Sequence, residues 1–441
     1  MRTIGVGLLG VGTVGGGVAS LLTRHTADIE SRLGARLSVV RAAVRDLARV
    51  RVGELDRTLL VTDARRVIDD PRVEIVVELV GGLEPARTLV LQALSRKKTV
   101  VTANKKLLAE AGAELFAAAS DAGVDLLYEA AVCGGIPIIR TLREALSSDR
   151  VQSIFGIVNG TTNFILGRMA EAGESFATAL GEAQRAGFAE ADPTADVDGH
   201  DAAQKLTLLA ALAFGARVSP SMVSTEGIAR LAPIDHAAAR DLGLTLKLLA
   251  IARRENGKLS LRVTPAMVPA QSLLAGVRGP FNAVRISCEA LGPLFLHGQG
   301  AGALPTASAV VADLIEAARA LLGGHRGRVP HLAVHAPQTL PIVPAEETIG
   351  AFYLRFTVLD APGVLARIAG SLGARGVSIA SLVQREHLPA IEGAPGEPVS
   401  IVIVTHEARE RDVRAASAEI DALPTTQAPT QIIPIERALA D

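Results

Sequence analysis

The sequence has few cysteines: only Cys133 and Cys288 occur in 441 residues. Two cysteines cannot form the disulfide framework of a small secreted domain, and their scarcity is typical of proteins from a reducing compartment. The chain also lacks the basic segment and apolar core of an export signal, because a strand-like run begins at Thr3. We therefore expect a cytoplasmic protein.

The sequence also lacks an excess of charge of one sign and a long apolar run. Its 45 Lys and Arg residues nearly balance 46 Asp and Glu residues, so no global field attracts nucleic acid or an anionic surface. No stretch reaches the roughly 18 uninterrupted apolar residues that a membrane-spanning helix needs. We therefore expect neither a nucleic-acid partner nor a membrane partner.

Hydrophobic patterning divides the chain into three folded regions and predicts an α/β protein. Up to residue 132, short apolar runs alternate with amphipathic stretches, which is typical of βαβ units on a parallel, Rossmann-like sheet. Residues 133–299 mix long helical periods with isolated strand-like runs and indicate an α+β domain. Residues 350–441 predict the order βαββαβ, the ferredoxin-like sandwich. The strands predicted for the first region are Ile4–Leu9, Leu37–Val44, Ile75–Leu79, Thr99–Val101 and Leu126–Tyr128.

Further segments connect these regions. Residues 300–322 contain a helical stretch that we assign to the first domain. Residues 323–349 show no clear periodicity and are predicted to be a linker. In the last region, Glu386–Pro398 is rich in proline and glycine and predicts a flexible hairpin.

A glycine-rich turn follows the first predicted strand and opens a helix. Its pattern is G-x-G-x-x-G, from Gly10 through Gly12 to Gly15, with Thr13 and Val14 inside the loop. Glycines at these positions permit a tight turn and let the backbone approach a pyrophosphate at the helix N-terminus. The same pattern occurs in turns without a ligand, but its place directly after a strand favours a dinucleotide site.

The second predicted strand leads into Arg45 and Asp46, where this fold contacts the adenosine ribose of the dinucleotide. An acidic residue here would favour NAD, whereas an arginine accommodates the 2′-phosphate of NADP. Because Arg45 comes first, we favour NADP and keep NAD as the alternative. A solvated loop cation would give the same sequence.

Lys105 follows a buried predicted strand, at the sheet edge where open α/β sheets bind ligands. A lysine there can hold a substrate carboxylate or exchange a proton, although most lysines are surface residues without such a role. Its position alone does not decide between these interpretations.

The segment from Gly187 to Asp201 carries five carboxylates and leads into an apolar helix. Asp201 and Lys205 are four residues apart and therefore share one helix face. Such a group can bind a divalent metal, an ammonium group or nothing, and spacing leaves an acidic loop with one salt bridge open. Metal is disfavoured because the segment lacks regularly spaced His and Cys ligands and a calcium-loop pattern.

These charged residues suit one reaction. An amino-acid substrate needs acidic and basic partners, and an aldehyde oxygen needs a proton donor when hydride arrives. Two lysines and several carboxylates near a nicotinamide would supply both.

Several ordered segments resemble homoserine dehydrogenases, and the similarity extends over nearly all of the chain except the linker. They are Val101–Lys105, Tyr128–Pro137, Gly156–Phe164, Glu190–Lys205 and Gly300–Ser308. The resemblance implies reversible, NAD(P)-dependent reduction of L-aspartate 4-semialdehyde to L-homoserine, in threonine, methionine and isoleucine biosynthesis.

The resemblance also implies roles for individual residues. Lys105 and Lys205 match two active-site lysines, with Lys205 as the proton donor, and Lys105 also adjoins the cofactor. Glu190, Asp196 and Asp201 match carboxylates that hold the amino acid and orient the lysines. The residues that match the cofactor site are Gly10, Gly12, Thr13, Val14, Gly15 and Gly302. The carbonyl groups that match a monovalent cation site, typically for sodium, are those of Glu129, Val132, Gly134 and Ile136.

Arg355–Leu365 resembles the opening of an ACT domain, an amino-acid-sensing module. The turn from Asp360 to Gly363 matches the loop where such a module meets its ligand. ACT modules often pair between subunits, so the resemblance implies a homodimer or homotetramer. Some have lost their ligand, and inhibition by threonine is therefore a hypothesis.

Two other functions fit parts of the sequence. A catalytically silent amino-acid sensor would keep the dinucleotide fold as a scaffold, but Lys105, Glu190, Asp201 and Lys205 are all present. An acylating oxidation of aspartate semialdehyde needs a cysteine nucleophile and a histidine base, and Cys133 lies in a glycine-rich turn with no evident partner. Both alternatives are disfavoured.

Overall fold

The N-terminal domain is built on a parallel sheet. A computed structural model of the chain describes residues 1–48, 55–385 and 398–439. The strands of this sheet are β1 (Thr3–Leu9), β2 (Arg36–Ala43), β3 (Leu60–Val61), β4 (Ile75–Glu78), β5 (Thr99–Thr102) and β6 (Leu126–Leu127). They are parallel and lie in the order β3-β2-β1-β4-β5-β6. This is the Rossmann order, in which ligands lie at the carboxyl ends of the strands, so the predicted fold class is confirmed.

The five predicted strands of this sheet all form, each within one residue of its predicted ends; only the two-residue β3 was not expected. The strands agree with the prediction because their residues are buried and apolar. A parallel strand that is buried on both faces has a continuous apolar sequence, which is easily recognised. The helices of this domain that precede residue 132 are α1 (Thr13–Arg24), α2 (Thr26–Leu33), α3 (Arg65–Ile68), α4 (Ala86–Ser95) and α5 (Lys105–Ala122).

The central domain is built on an antiparallel sheet. Its strands are β7 (Val151–Ile157), β8 (Ser224–Thr225), β9 (Leu244–Glu255), β10 (Lys258–Pro269), β11 (Phe281–Cys288) and β12 (Gly292–Gln299). The order is β12-β11-β7-β9-β10, and β8 pairs in parallel with β10. The helices that follow residue 132 are α6 (Ile138–Arg140), α7 (Gly160–Ala172), α8 (Phe176–Arg185), α9 (Thr194–Val197), α10 (His200–Phe214), α11 (Pro233–Asp241) and α12 (Ala303–Gly323). Helices α7, α10 and α11 pack against β9.

Helix α12 returns to the N-terminal domain and packs against α1. The two helices approach closely at Gly17, where an added Cβ would lie 2.9 Å from the Cβ of Ala307 and 3.0 Å from the carbonyl oxygen of Ala303. Glycine at this position therefore allows the contact. Within the described ranges no helix, α12 included, is long and apolar enough to cross a membrane.

The C-terminal domain has the predicted βαββαβ order. Its strands are β13 (Ile349–Leu359), β14 (Ile379–Arg385), β15 (Pro398–Thr405), β16 (Ala408–Arg409) and β17 (Thr426–Ile435), and its helices are α13 (Val364–Ala374) and α14 (Glu410–Asp421). The main strands lie in the order β17-β13-β15-β14, and the short β16 pairs with β13. The hairpin predicted before Pro398 falls on residues 386–397, outside the described ranges.

The C-terminal domain continues the sheet of the central domain. Met267 of β10 pairs in parallel with Ile435 of β17, and the N–H of Glu436 donates to the Met267 carbonyl at 2.9 Å. Tyr353 and Ile433 belong to the same buried apolar cluster as the central domain. The two domains therefore share a core.

The segment predicted to be a linker lies against the other domains. His331 accepts a hydrogen bond from the N–H of Leu126 at 3.1 Å, and the Tyr128 hydroxyl donates to the His331 carbonyl at 2.6 Å. The His331 ring stacks on Phe116 with 5.6 Å between centroids. This segment, which runs from α12 to β13, contains one 3₁₀ turn at Ala345–Glu347 and no other helix or strand among its described residues.

Candidate active site

The glycine-rich turn has the conformation that its sequence requires. Gly10 has a φ of 102°, and an added Cβ there would lie 2.7 Å from the carbonyl oxygen of Leu79. A Cβ on Gly15 would lie 2.3 Å from the carbonyl oxygen of Gly10. At Gly12, in contrast, an added Cβ would meet nothing within 4 Å. The turn is therefore tight at its ends and open at Gly12, where a ligand can approach the backbone.

This turn forms one wall of a cavity of about 650 Å³ beside the carboxyl ends of the parallel strands. Thr13 and Arg45 line it, as does Ala303 at the start of α12. Gly302, with a φ of 121°, is the residue before α12. The N-terminus of α1 faces this space, and its unpaired N–H groups and helix dipole favour an anionic ligand. The cavity thus has the form of a dinucleotide groove.

A buried polar network positions Lys105 at the end of β5. The Thr102 hydroxyl donates to Glu78 at 2.6 Å, and Glu78 also accepts the N–H groups of Val80 and Gly81. The Asn104 side chain accepts the N–H of Leu107 at 3.1 Å and so caps α5. Lys105, the first residue of that helix, is fixed at the sheet edge where we expected it.

Two lysines and one aspartate meet between the N-terminal and central domains. The Lys105 Nζ lies 3.1 Å from Asp201 Oδ1, and the Lys205 Nζ lies 2.8 Å from Asp201 Oδ2. Lys205 also donates to the carbonyl of Val158 at 2.6 Å. The Lys205 and Asp201 side chains are 12% and 9% exposed, whereas that of Lys105 is 37% exposed. The structure therefore brings together residues that are 96 positions apart in the sequence, and Lys105 is the more accessible lysine.

Electrostatics fix the protonation states of the buried pair. Burial alone would raise the pKa of Asp201, but the ammonium groups of Lys205 and Lys105, with hydrogen bonds, outweigh it and hold that pKa well below its usual range. Burial would also lower the pKa of Lys205, but the charge of Asp201 outweighs it, and the pKa of Lys205 is raised. Asp201 is therefore ionised and Lys205 protonated at neutral pH.

Asn159 belongs to this site, although no role was predicted for it from the sequence. Its Nδ2 donates to Asp196 Oδ1 and to Asp201 Oδ2, each at 2.7 Å. Burial raises the pKa of Asp196, and the Asn159 hydrogen bond opposes the rise. Asn159 lies in the Gly156–Phe164 segment, which was the only sequence signal for it.

Glu190 is the predicted site residue that does not join this cluster. It is exposed on the loop between α8 and α9, and its carboxylate has no hydrogen-bond or ion-pair partner among the described residues. Only its carbonyl is engaged, by Gln184 at 3.1 Å.

The four residues expected to hold a cation lie on one buried turn. Cys133 and Gly134 have positive φ angles of 56° and 46°, which bend the chain. The Ile136 carbonyl accepts the N–H of Ile138 at 2.8 Å, and the Glu129 carbonyl accepts that of Val132 at 3.5 Å. In the described chain the carbonyls of Val132 and Gly134 accept no backbone hydrogen bond. Buried carbonyls without a donor suit a monovalent cation.

The side chain of Asp313, on α12, holds this turn in place. It accepts the N–H of Glu129 at 2.8 Å, while the Glu129 carboxylate accepts the N–H groups of Ile139 and Arg140 at 2.8 and 2.9 Å. Burial, with the nearby Glu129 charge adding to it, raises the pKa of Asp313 to about 8. Asp313 had no sequence signal, because it is 184 residues from its partner. No group of three or more His, Cys, Asp or Glu side chains in the described ranges is arranged to hold a metal ion.

The predicted effector loop of the C-terminal domain lies between β13 and α13. Asp360 is exposed, and Gly363, with a φ of 86°, precedes α13 directly. The loop is therefore open to a ligand, with the helix N-terminus behind it.

Family profiles match all three domains. A profile described as "Homoserine dehydrogenase, NAD binding domain" matches residues 10–129. One described as "Homoserine dehydrogenase" matches residues 137–315, and one described as "ACT domain" matches residues 352–425.

Full-length relatives carry the same description. The chain is 43% identical over 439 residues to the homoserine dehydrogenase of Neisseria gonorrhoeae, covering 99% of each chain. A crystal structure of a homoserine dehydrogenase from Thiobacillus denitrificans has a TM-score of 0.91 and 46% identity, with 99% of both chains covered. A hyperthermophilic archaeal homoserine dehydrogenase in complex with NADPH has a TM-score of 0.61 and 27% identity, over 72% of this chain and 98% of that one.

Proposed function

Because the chain belongs to the homoserine dehydrogenase family, we propose that the cluster of Lys105, Asp196, Asp201 and Lys205 is its active site. The family reaction is the reversible reduction of L-aspartate 4-semialdehyde to L-homoserine. The observation that carries the proposal is the bridging of both lysines by Asp201, at 3.1 and 2.8 Å. A buried lysine that is held protonated is the donor that aldehyde reduction requires. Lys105 shares Asp201 with it and follows β5, the strand beside β4, after which Leu79 and Val80 line the cavity.

Lys205 is the proposed proton donor. When bound, the reduced dinucleotide supplies a hydride to the carbonyl carbon of the aldehyde. Lys205 passes its proton to the carbonyl oxygen as negative charge develops there. Asp201 keeps the ammonium charged from one turn earlier on α10, and the Val158 carbonyl fixes its direction. In homoserine oxidation the same nitrogen takes the proton back.

The charged groups of the substrate have complementary partners. Asp196 accepts hydrogen bonds from Asn159 and Thr161, and among the described residues no cation pairs with it, so it can bind the substrate ammonium group. Lys105, which is partly exposed, is placed to hold the substrate carboxylate or to contact the cofactor. Asp201 orients both lysines, and Glu190 is a further proposed ligand from the loop before α9.

The dinucleotide groove is proposed to hold NADP. Gly10, Gly12, Thr13, Val14 and Gly15 would surround the pyrophosphate, and Gly302, next to the lining residue Ala303, would add a further contact. The open space at Gly12 and the exposed N-terminus of α1 fit a phosphate group. Arg45 lines the cavity and would pair with a 2′-phosphate. NAD is the alternative cofactor.

A sodium ion is proposed at the turn that contains Glu129, Val132, Gly134 and Ile136. Their carbonyl oxygens would be the ligands, and the free carbonyls of Val132 and Gly134 support this. The ion would stabilise the turn that joins the N-terminal and central domains. Thermal unfolding in sodium chloride should occur at a higher temperature than in an N-methylglucamine chloride solution of equal ionic strength, and equal unfolding temperatures would argue against the site.

Threonine is the proposed effector of the ACT domain, bound at Asp360 and Gly363. The exposed loop before α13 supports this proposal. Pairing of ACT domains between subunits would give a homodimer or homotetramer. A calorimetric titration with threonine, with turnover measured in parallel, tests the effector; no binding and no change in rate would remove it.

The cellular location that fits this account is the cytoplasm. Both cysteines are buried and unpaired, which suits a reducing compartment.

Replacement of Lys205 by alanine tests the proposed active site. Turnover should fall by about 10²- to 10⁴-fold, the usual contribution of a positioned proton donor. Near-normal turnover would show that Lys205 is not the donor.

A further inference from the structure

We infer that Asn159 is a positioning residue of the reaction. It orients Asp196 to bind the substrate and Asp201 to hold the two lysines. This inference rests on the roles proposed for Lys205 and the two aspartates. Asn159 is 5% exposed; it is separated from β7 by Val158 and is the N-cap of α7. It therefore lies at a rigid junction between a strand and a helix.

The capping bond of α7 determines which way the Asn159 amide points. Its Oδ1 accepts the N–H of Thr162 at 2.8 Å, so the amide oxygen faces the helix. The Nδ2 must then face the opposite way, toward the carboxylates. Both of its hydrogens are used, one by Asp196 and one by Asp201. The helix cap thus orients a donor for two acids at once.

Residues 158 and 159 together hold the acid–base pair. The Val158 carbonyl accepts from Lys205 at 2.6 Å, and the next residue donates to Asp201, the partner of that lysine. Asp201 therefore accepts from Lys105, Lys205 and Asn159, and has little capacity left for a substrate. Asp196 accepts hydrogen bonds from Asn159 and from the Thr161 side chain, and among the described residues no lysine or arginine forms an ion pair with it. Because Asp196 lacks the cation partners that Asp201 has, it is the carboxylate that we assign to the ammonium group of an amino-acid substrate.

The variant Asn159→Asp tests this role. It keeps the side-chain shape and the oxygen that caps α7, but replaces the donor with a third carboxylate at neutral pH. Loss of two hydrogen bonds to buried charged groups should lower kcat by about tenfold to hundredfold. The KM for aspartate semialdehyde should also rise, because Asp196 loses its orientation.

The pH profile separates positioning from a structural role. A carboxyl beside two carboxylates has a raised pKa, and in its protonated form it can donate again. The ratio of kcat for Asn159→Asp to that of the parent should therefore rise toward one as pH falls from 9 to 6. A kcat within twofold of the parent at every pH, or a loss that is the same at every pH, would overturn the inference.

Two further variants keep the test decisive if Asn159→Asp does not fold. Asn159→Ser keeps a capping oxygen and one donor, and should be about tenfold more active than Asn159→Ala; equal activity would overturn the inference. Ser175→Ala removes the side-chain cap of α8. The Ser175 hydroxyl bonds to Thr178 in the first turn of that helix, and its loss should leave kcat unchanged. Lys205→Met is measured alongside: if it stays active, the proposed donor is wrong, whereas an inactive Lys205→Met with an unaffected Asn159→Asp refutes only the role of Asn159.

Discussion

Arg355 of the ACT domain forms two hydrogen bonds to Asp235, a carboxylate of the central domain that is completely buried. The distances are 2.7 Å from Nε to Oδ1 and 3.2 Å from the terminal nitrogen to Oδ2. The hydroxyl of Tyr353 donates to the same carboxylate at 2.9 Å. Asp235 also accepts the N–H of Ala232 at the start of α11. This carboxylate therefore joins the regulatory domain to the catalytic part of the chain.

Replacement of Arg355 by alanine should destabilise the protein strongly. The variant leaves the Asp235 charge buried without its cation, and breaking such a pair costs about 3–5 kcal/mol. The free energy of unfolding, measured in urea, checks this. Arg375→Ala is the control, because Arg375 and Glu419 form a pair with both side chains 44% exposed, and its loss should cost less than about 1 kcal/mol. Equal effects of the two variants would contradict the account.

The buried imidazole of His236 should make the protein less stable in acid. Burial lowers the pKa of His236 to about 4, although the neighbouring Asp235 charge opposes the shift. Between pH 6.5 and 4 the unfolded chain binds a proton that the folded chain does not, so the free energy of unfolding falls as pH falls through this range.

Replacement of His236 by glutamine should remove about 2–3 kcal/mol of this acid sensitivity, measured as the difference in unfolding free energy between pH 6.5 and pH 4. His25 is exposed, and His25→Gln serves as the matched control that keeps the parent slope. The same slope in the His236 variant and the parent would contradict the prediction.

Replacement of Arg45 by alanine should change the cofactor preference. If Arg45 pairs with the 2′-phosphate, the variant loses a charge-assisted contact that only NADPH makes. The KM for NADPH should rise about tenfold or more, while the KM for NADH stays unchanged. Arg57→Ala, on an exposed 3₁₀ turn of the same domain, is the control. An equal rise of the KM values for NADPH and NADH would show that Arg45 does not contact the 2′-phosphate.

The cysteines should not react with thiol reagents in the folded protein. Cys133 is 1% exposed, and burial, with the nearby Lys205 ammonium opposing it, raises the pKa of its thiol to about 11. At pH 8 only about one thiol in a thousand would be ionised. Titration with a disulfide reagent in native buffer should release almost no product until the protein is unfolded. Rapid reaction of Cys133 with the reagent would show an accessible, reactive thiol and would support the acylating alternative.

The sequence predicted the elements whose apolar runs are unambiguous. The strands of the Rossmann-like sheet were predictable because they are buried on both faces and are therefore continuously apolar. The element order of the ACT domain was predictable from the regular alternation of apolar and polar residues. The strands β9, β11 and β12 were not predicted individually. The Leu-rich sequence of strand β9 fits a helix equally well. Strand β12 contains glycine and proline, which are uncommon in strands.

The site was predictable only in part, because contacts between distant residues depend on packing. Lys105, Asp196, Asp201 and Lys205 were candidates from their segments, and the structure places them together. Asn159 donates hydrogen bonds to Asp196 and Asp201, which are 37 and 42 residues away, and no pattern in the neighbouring sequence predicts these contacts. The pair of Asp235 and Arg355, 120 residues apart, has none either.

The central claim is that Lys205, aimed by Asp201, meets the reacting oxygen of the substrate. A crystal structure of the complex with L-homoserine and NADP⁺ tests it most directly. We predict that the substrate hydroxyl lies within hydrogen-bond distance of the Lys205 Nζ, about 2.6–3.2 Å, with the nicotinamide on the adjacent carbon. A substrate bound elsewhere, with Lys205 still turned only toward Asp201 and Val158, would contradict the account.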